Sequence, residues 1–401
     1  MTKLHLTFKK NSIEEFVVFL ILLLQPIIYL SNGNFSFTLS DIFLILYVLF
    51  FFKNFKFKNN IFTPILCGLF LLLLIFILSI LFDGNLYKNL KNVLPVFYGI
   101  IFLIMLSIAL VRLGAKKLIR LILYSISINF IASFLLLFYS RLLFQTPQTI
   151  FLSQRYQYFT VNPNQLVVYF SIGMLIIILA ALFFKIAINW ISFLLLIGSF
   201  SLLNTGSKGA AISIFLSFFG YLCIFGSKIF TKFFVTYFSF LTLFLSYITQ
   251  NATNISRISS MLVDDNIKVD QSTTERIFQI KEGIIFFFKY PILGIGIGNF
   301  SIESNSHYEI HNTYAALAAE TGLLGLCSAL IIFFSYHNII YKSFQNNRLF
   351  LISIFFTSLC YAIFNMYYVC VRERWNWLLL GFIVLLCQNF TKNIRYNPYA
   401  K

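Results

Sequence analysis

Residues 64–82 read Pro-Ile-Leu-Cys-Gly-Leu-Phe-Leu-Leu-Leu-Leu-Ile-Phe-Ile-Leu-Ser-Ile-Leu-Phe, without a charged side chain. At about 1.5 Å of rise per residue, a helix of this length reaches about 30 Å, the hydrocarbon thickness of a bilayer. Eleven further stretches are similarly apolar, so that twelve candidate spans are centred near residues 24, 47, 72, 103, 129, 174, 195, 217, 240, 324, 358 and 382. The 401 residues are 59% apolar and 11% charged, too little charge to cover the surface of a soluble chain this long. The 52 Phe and 22 Tyr suit apolar spans edged by interfacial aromatics. The expectation is an all-α, polytopic integral membrane protein with about 12 transmembrane helices.

A net charge of +17 would ordinarily point towards nucleic acid. Here the Lys and Arg are dispersed in short loops between apolar runs, where they orient the chain and meet lipid headgroups, so membrane lipids are expected partners and nucleic acid is not. With a cytoplasmic N-terminus, 18 of the 30 basic residues fall in loops on that side and seven in short loops opposite; five more lie in the long loop 250–311, which the positive-inside rule discounts. Both termini are therefore predicted to be cytoplasmic and the long loop extracytoplasmic. This divides the chain into an N-terminal bundle of about nine spans (1–249), the loop (250–311) and a C-terminal bundle of about three spans (312–401). The N-terminus has basic residues before its first span and no small-residue cleavage site after it, which reads as an uncleaved first helix. The six Cys lie in or beside apolar runs, with no CxxC and no metal-ligand spacing. No internal repeat marks two related halves.

The long loop carries the chemistry. It reads Thr274-Glu275-Arg276, then an amphipathic segment at 277–288 expected to lie as a helix at the membrane interface. Pro291-Ile292-Leu293-Gly294-Ile295-Gly296-Ile297-Gly298-Asn299-Phe300 follows, and His311-Asn312-Thr313-Tyr314 then enters the tenth candidate span. The Gly-x-Gly-x-Gly run follows no strand and opens no βαβ unit, so it reads as a backbone turn. Ala315, Ala318, Gly322 and Gly325 form a small-residue stripe below His311, suited to close approach of a neighbour. Glu320, nine residues on, projects to the opposite side and is left out of the catalytic set. His307, Glu303 and Glu309 lack the ligand spacing of a metal site, and Asp264-Asp265 reads as a solvated turn, so no metal and no cofactor are expected.

The order Arg, helix, Pro-x-x-Gly-x-Gly-x-Gly-Asn-Phe, His-Asn-x-Tyr, Glu-x-Gly-Leu-x-Gly-Leu resembles the O-antigen ligase and polymerase superfamily of bacterial membrane glycosyltransferases. The resemblance extends to Ser40-Asp41, to Arg155 with Asn162-Pro163-Asn164, and to Thr205-Gly206-Ser207-Lys208-Gly209, thus covering residues 40 to about 330. Lys208 departs from the Arg that the family usually places in that triplet. The resemblance implies a GT-C-like fold in the bacterial inner membrane and transfer of an undecaprenyl-diphosphate-linked glycan on its outer side, metal-independent and inverting. The acceptor would be a second lipid-linked glycan, as in a polymerase of O-antigen, capsule or exopolysaccharide, or the lipid A core, as in a ligase. A polymerase could further work with a chain-length regulator. A lipid-linked oligosaccharide flippase is the rival outside the superfamily.

The residue types suit such chemistry. A diphosphate leaving group needs cations, and Arg offers a rigid, permanently charged fork. Arg276 is the first candidate, with Arg155, Asn164, Lys208, Arg372 and Arg374 as further substrate contacts. An attacking sugar hydroxyl needs a base with a pKa near neutrality, and His311 is the candidate. Its bland alternative is a helix-capping His.

Overall fold

The computed structural model describes residues 10–26, 28–31, 36–56, 60–83, 86–142, 151–152, 155–156, 163–184, 188–205, 271–304, 309–344 and 374–396. These form helices α1 (Lys10–Leu23), α2 (Leu39–Phe51), α3 (Thr63–Asp83), α4 (Leu86–Leu113), α5 (Ala115–Leu142), α6 (Pro163–Phe183) and α7 (Ile188–Leu203). The series continues with α8 (Gln271–Lys289), the single turn α9 (Phe300–Glu303), α10 (Thr313–Phe344) and α11 (Arg374–Tyr396). Among them, four are long and apolar enough to cross a bilayer, with spans Thr63–Ile80, Val93–Leu113, Ala115–Tyr139 and Thr313–Ser343. Shorter apolar stretches run over Gln165–Ala180, Asn189–Leu202 and Trp375–Asn389. The candidate spans near 217, 240 and 358 lie outside the described residues.

The chain departs from the expected pattern at its start. Around residue 24 there is no continuous spanning helix. α1 is 14 residues long and α2 is 13, about 20 Å each and short of the hydrocarbon thickness. Pro26 shortly follows α1, and its ring cannot continue the ladder of hydrogen bonds. The antiparallel pair β1 (Ile28–Ser31) and β2 (Ser36–Thr38) then leads directly into α2. A second small pair, β3 (Phe151–Leu152) with β4 (Arg155–Tyr156), precedes α6. These hairpins are additions to an otherwise helical chain. Ser40 and Asp41 have local tasks there: Ser40 Oγ donates to the Ile21 carbonyl at 2.8 Å, and Asp41 Oδ2 accepts the Thr38 N–H at 2.8 Å. Together they seat the α2 head against the end of α1.

A polar joint ties four helix ends to one side of the bundle. Glu14 Oε1 accepts from Arg112 Nε at 2.6 Å and from the Tyr47 hydroxyl at 2.8 Å, the Arg112 guanidinium lies over the Phe51 ring at 4.3 Å, and Lys117 pairs with Glu15. The start of α1, the ends of α2 and α4 and the start of α5 thus meet, the arrangement that alternating spans require. Away from that joint the core is close-packed and mostly apolar, with buried polar contacts such as Asn129 Nδ2 donating to the Tyr169 hydroxyl at 3.0 Å; Phe130 stacks on Phe170 at 4.4 Å between α5 and α6. At Gly68 a Cβ would stand 2.6 Å from Ile332 Cγ1, so α3 and α10 approach almost backbone to backbone.

Candidate functional site

α8 is built inside out for a helix on a soluble protein. Ile277, Phe278, Ile284, Ile285 and Phe288 are exposed, whereas Gln279 and Gly283 are buried and Arg276 and Ile280 are partly so. Residues three and four apart share a helix face, so the inward face bears Arg276, Gln279 and Gly283 while the outward face is apolar. An apolar outward face belongs in lipid. The inward face docks on the head of α10: a Cβ at Gly283 would stand 3.2 Å from Ile310 Cδ1 and 3.5 Å from Ala315 Cβ. Phe300, Ile310, Ala315, Ala316 and Ala319 form a small separate core beneath this contact, with Ile280, Phe286 and Ile295 around it.

The loop between α8 and α10 is joined to α10 through main-chain groups. α10 leaves helical geometry at Gly322 (φ 61°, ψ −153°), and such a break strips carbonyls and N–H groups of their partners in the helix. Residues 291–296 supply replacements. Ile295 N–H donates to the Ala319 carbonyl (2.9 Å) and Gly296 N–H to that of Glu320 (3.1 Å), while Leu323 N–H donates to the Pro291 carbonyl (2.7 Å) and Leu324 N–H to that of Ile292 (3.3 Å). Gly294, at φ 69°, lies so close that a Cβ would be 2.4 Å from the Glu320 carbonyl carbon. The stripe of small residues therefore admits a crossing loop as well as a helix, and the stripe is not the face of one continuous helix. Ile297 N–H completes the seat by donating to Ser79 Oγ near the end of α3, at 2.9 Å.

His311 sits at the top of this assembly. Asn312 caps α10, its Oδ1 accepting the Ala315 N–H at 2.9 Å, so His311 is not the helix cap. The His311 main-chain N–H donates instead to Gln279 Oε1 at 3.3 Å. Its imidazole is exposed and makes no hydrogen bond among the described residues. The surrounding protein nevertheless withholds enough water to pull the imidazole pKa below the ordinary histidine value; Arg276 pulls it further down and Glu309 opposes. Both leading causes disfavour the imidazolium, so the ring stays neutral and able to accept a proton to lower pH than a free histidine. Arg276→Gln removes one of them. The acidic limb of residual transfer activity is then expected to move up towards the ordinary histidine range, and a pH–rate profile in which the limb stays put would uncouple the two residues.

Of the residues singled out in the sequence, His311 and Arg276 are thus brought together. Arg155 is in β4, Asn164 is the second residue of α6 and Arg374 opens α11. Tyr169 and Trp375, whose rings meet edge to face at 4.9 Å, place the heads of α6 and α11 side by side. Lys208 and Arg372 lie outside the described residues, as do His307 and Asp264-Asp265. Glu320 is buried in α10. Gln279 was passed over by the sequence reading, although its spacing of three from Arg276 puts it on the same helix face.

Residues 191–330 match the sequence model of a family described as O-antigen ligase, about a third of the chain, running from within α7 to the middle of α10. No curated protein matches the chain. The family match supports the O-antigen ligase and polymerase superfamily, and with it a glycosyl-transferring enzyme in a membrane.

Proposed function

We propose that this chain, which carries an O-antigen ligase family domain at residues 191–330, is a polymerase of undecaprenyl-diphosphate-linked oligosaccharide repeat units on the outer side of the inner membrane. The observation that carries this reading is the inverted amphipathy of α8, which turns Arg276 and Gln279 towards His311 and leaves an apolar face for lipid. A lipid-linked diphosphate donor has both of these needs at once, a cation for its headgroup and a bilayer for its tail.

In the proposed reaction His311 accepts the proton of an acceptor hydroxyl as its oxygen attacks the anomeric carbon. The new C–O bond forms on the face opposite the departing phosphate, which inverts the configuration. The anomeric C–O bond breaks, its electron pair leaving with the polyprenyl diphosphate, whose growing charge Arg276 stabilises. The imidazolium then gives its proton to water. Arg155, Asn164, Lys208, Arg372 and Arg374 are proposed further contacts to the donor, and the positive charge they and Arg276 supply makes the step independent of a metal. We place the chain as a GT-C-like protein of about twelve spans, the short helices α1 and α2 counted among them, divided at 249/250 and 311/312, with both termini cytoplasmic. The joint of Glu14, Tyr47, Arg112 and Lys117 supports that topology by gathering the predicted cytoplasmic ends on one side.

The description of the matched family favours a second reading, ligation to the lipid A core. The two are separated by purified protein in proteoliposomes with a lipid-linked repeat unit. Ladders of lengthening glycan are the expected result; transfer only when lipid A core is supplied would make the chain a ligase. Inactivity with both acceptors, together with movement of the donor across the bilayer, would point to a flippase.

A further inference from the structure

We infer that Gln279 is a two-ended member of the site: its carboxamide oxygen fixes the main chain of His311, and its amide nitrogen donates to a phosphoryl oxygen of the lipid diphosphate. This rests on the proposed diphosphate-linked donor. The oxygen end is set by chemistry, since only Oε1 can accept the His311 N–H that it meets at 3.3 Å. The nitrogen end therefore faces away from that bond with two donors. The Gln279 side chain makes no other hydrogen bond among the described residues, yet the residue is only 2% exposed. An acceptor that enters with the substrate meets these donors.

The surroundings of the amide favour an anionic acceptor. Arg276 is one turn earlier on the same face, and its positive charge reaches the His311 ring. Gly283, one turn later, is closed off by Ile310 and Ala315, so the open end of the face is the Arg276–Gln279 turn. An N–H donor beside a guanidinium is best matched by a charged oxygen, whose hydrogen bonds are about twice as strong as neutral ones. Gln279 also holds the base and the cation in register, because the bond spans 32 residues of sequence between α8 and the head of α10.

The test uses the full-length protein in nanodiscs, with undecaprenyl diphosphate as the probe and melting temperature as the control for folding. Gln279→Glu keeps an oxygen for the His311 N–H and replaces the donor by an anion; binding of the probe should weaken about tenfold or more, at an unchanged melting temperature. Gln279→Asn retracts the amide and should weaken it by less. Wild-type binding by Gln279→Glu, alongside weakened binding by Arg276→Ala, would overturn the inference. So would a defect in acceptor KM alone, which would assign the amide to a sugar hydroxyl. Weakened binding in Gln279→Glu with no transfer by the wild type would sink the polymerase reading and leave the diphosphate contact standing.

Discussion

His311→Ala should lower glycan transfer by about 10²–10⁴-fold at neutral pH, the range that general-base catalysis supplies. The loss should fall on kcat, with donor KM changed by no more than a few-fold. Three features of the surroundings of His311 produce this split. The ring is exposed and without a hydrogen bond among the described residues, so its removal opens no packed core and strands no partner. What holds α8 in place at this point is the main-chain N–H of His311, which alanine retains. Asn312 caps α10, which leaves the helix start intact. The melting temperature should accordingly be that of the wild type, and His311→Asn should fare no better than alanine because it lacks a base near neutrality. Transfer within a few-fold of wild type in His311→Ala would falsify the assignment of this residue as the base.

The largest structural effect is expected from the glycine pair that joins the loop to α10. Gly322→Val puts a β-branched side chain at φ 61°, ψ −153°, a region that only glycine occupies readily, at a cost of about 1–3 kcal/mol. Its Cβ would also sit 2.6 Å from the Ile292 carbonyl carbon and oxygen. Those are backbone atoms already committed to the Leu324 N–H, so relief requires the loop to lift and releases the four main-chain bonds between 291–296 and 319–324. Gly294→Val meets the same obstacle from the other side. Both variants should lose several degrees of thermal stability and nearly all transfer. Gly114→Ala is the control: its φ is 82°, but nothing lies within 4 Å of the added carbon, so strain acts alone and the loss should be small. Equal melting temperatures for Gly322→Val and Gly114→Ala would show that the loop is not held by this contact.

Which parts of this were legible in the sequence follows from how local each one is. The long apolar helices α3, α4, α5 and α10 are written in uninterrupted runs. α8 is written in its period, which places Arg276 and Gly283 on one face. The candidacy of His311 and Arg276 rests on residue type and motif order, and Asn312 as the cap could have been read from its preference for that position. The break at Gly322 could not. Projecting residues 311–325 on an ideal helix assumes an unbroken ladder, and a stripe of Ala and Gly looks the same whether a helix or a crossing loop uses it. The start of the chain was misjudged because apolar content around residue 24 outweighed Pro26 and the turn residues after it. The Glu14–Arg112 pair and the Gln279–His311 bond join residues 98 and 32 positions apart; no periodicity reports such partners.

The join between the loop and α10 is made of peptide groups. Its four bonds are indifferent to which side chains flank them, given the glycines at 294 and 322. On the proposed reading, a lineage of such chains can therefore rewrite the residues that face the glycan and adapt to a new sugar, while the proposed base and cation keep their spacing. Diversity of product and constancy of chemistry would share one polypeptide because the frame is encoded in two hydrogen-sized side chains.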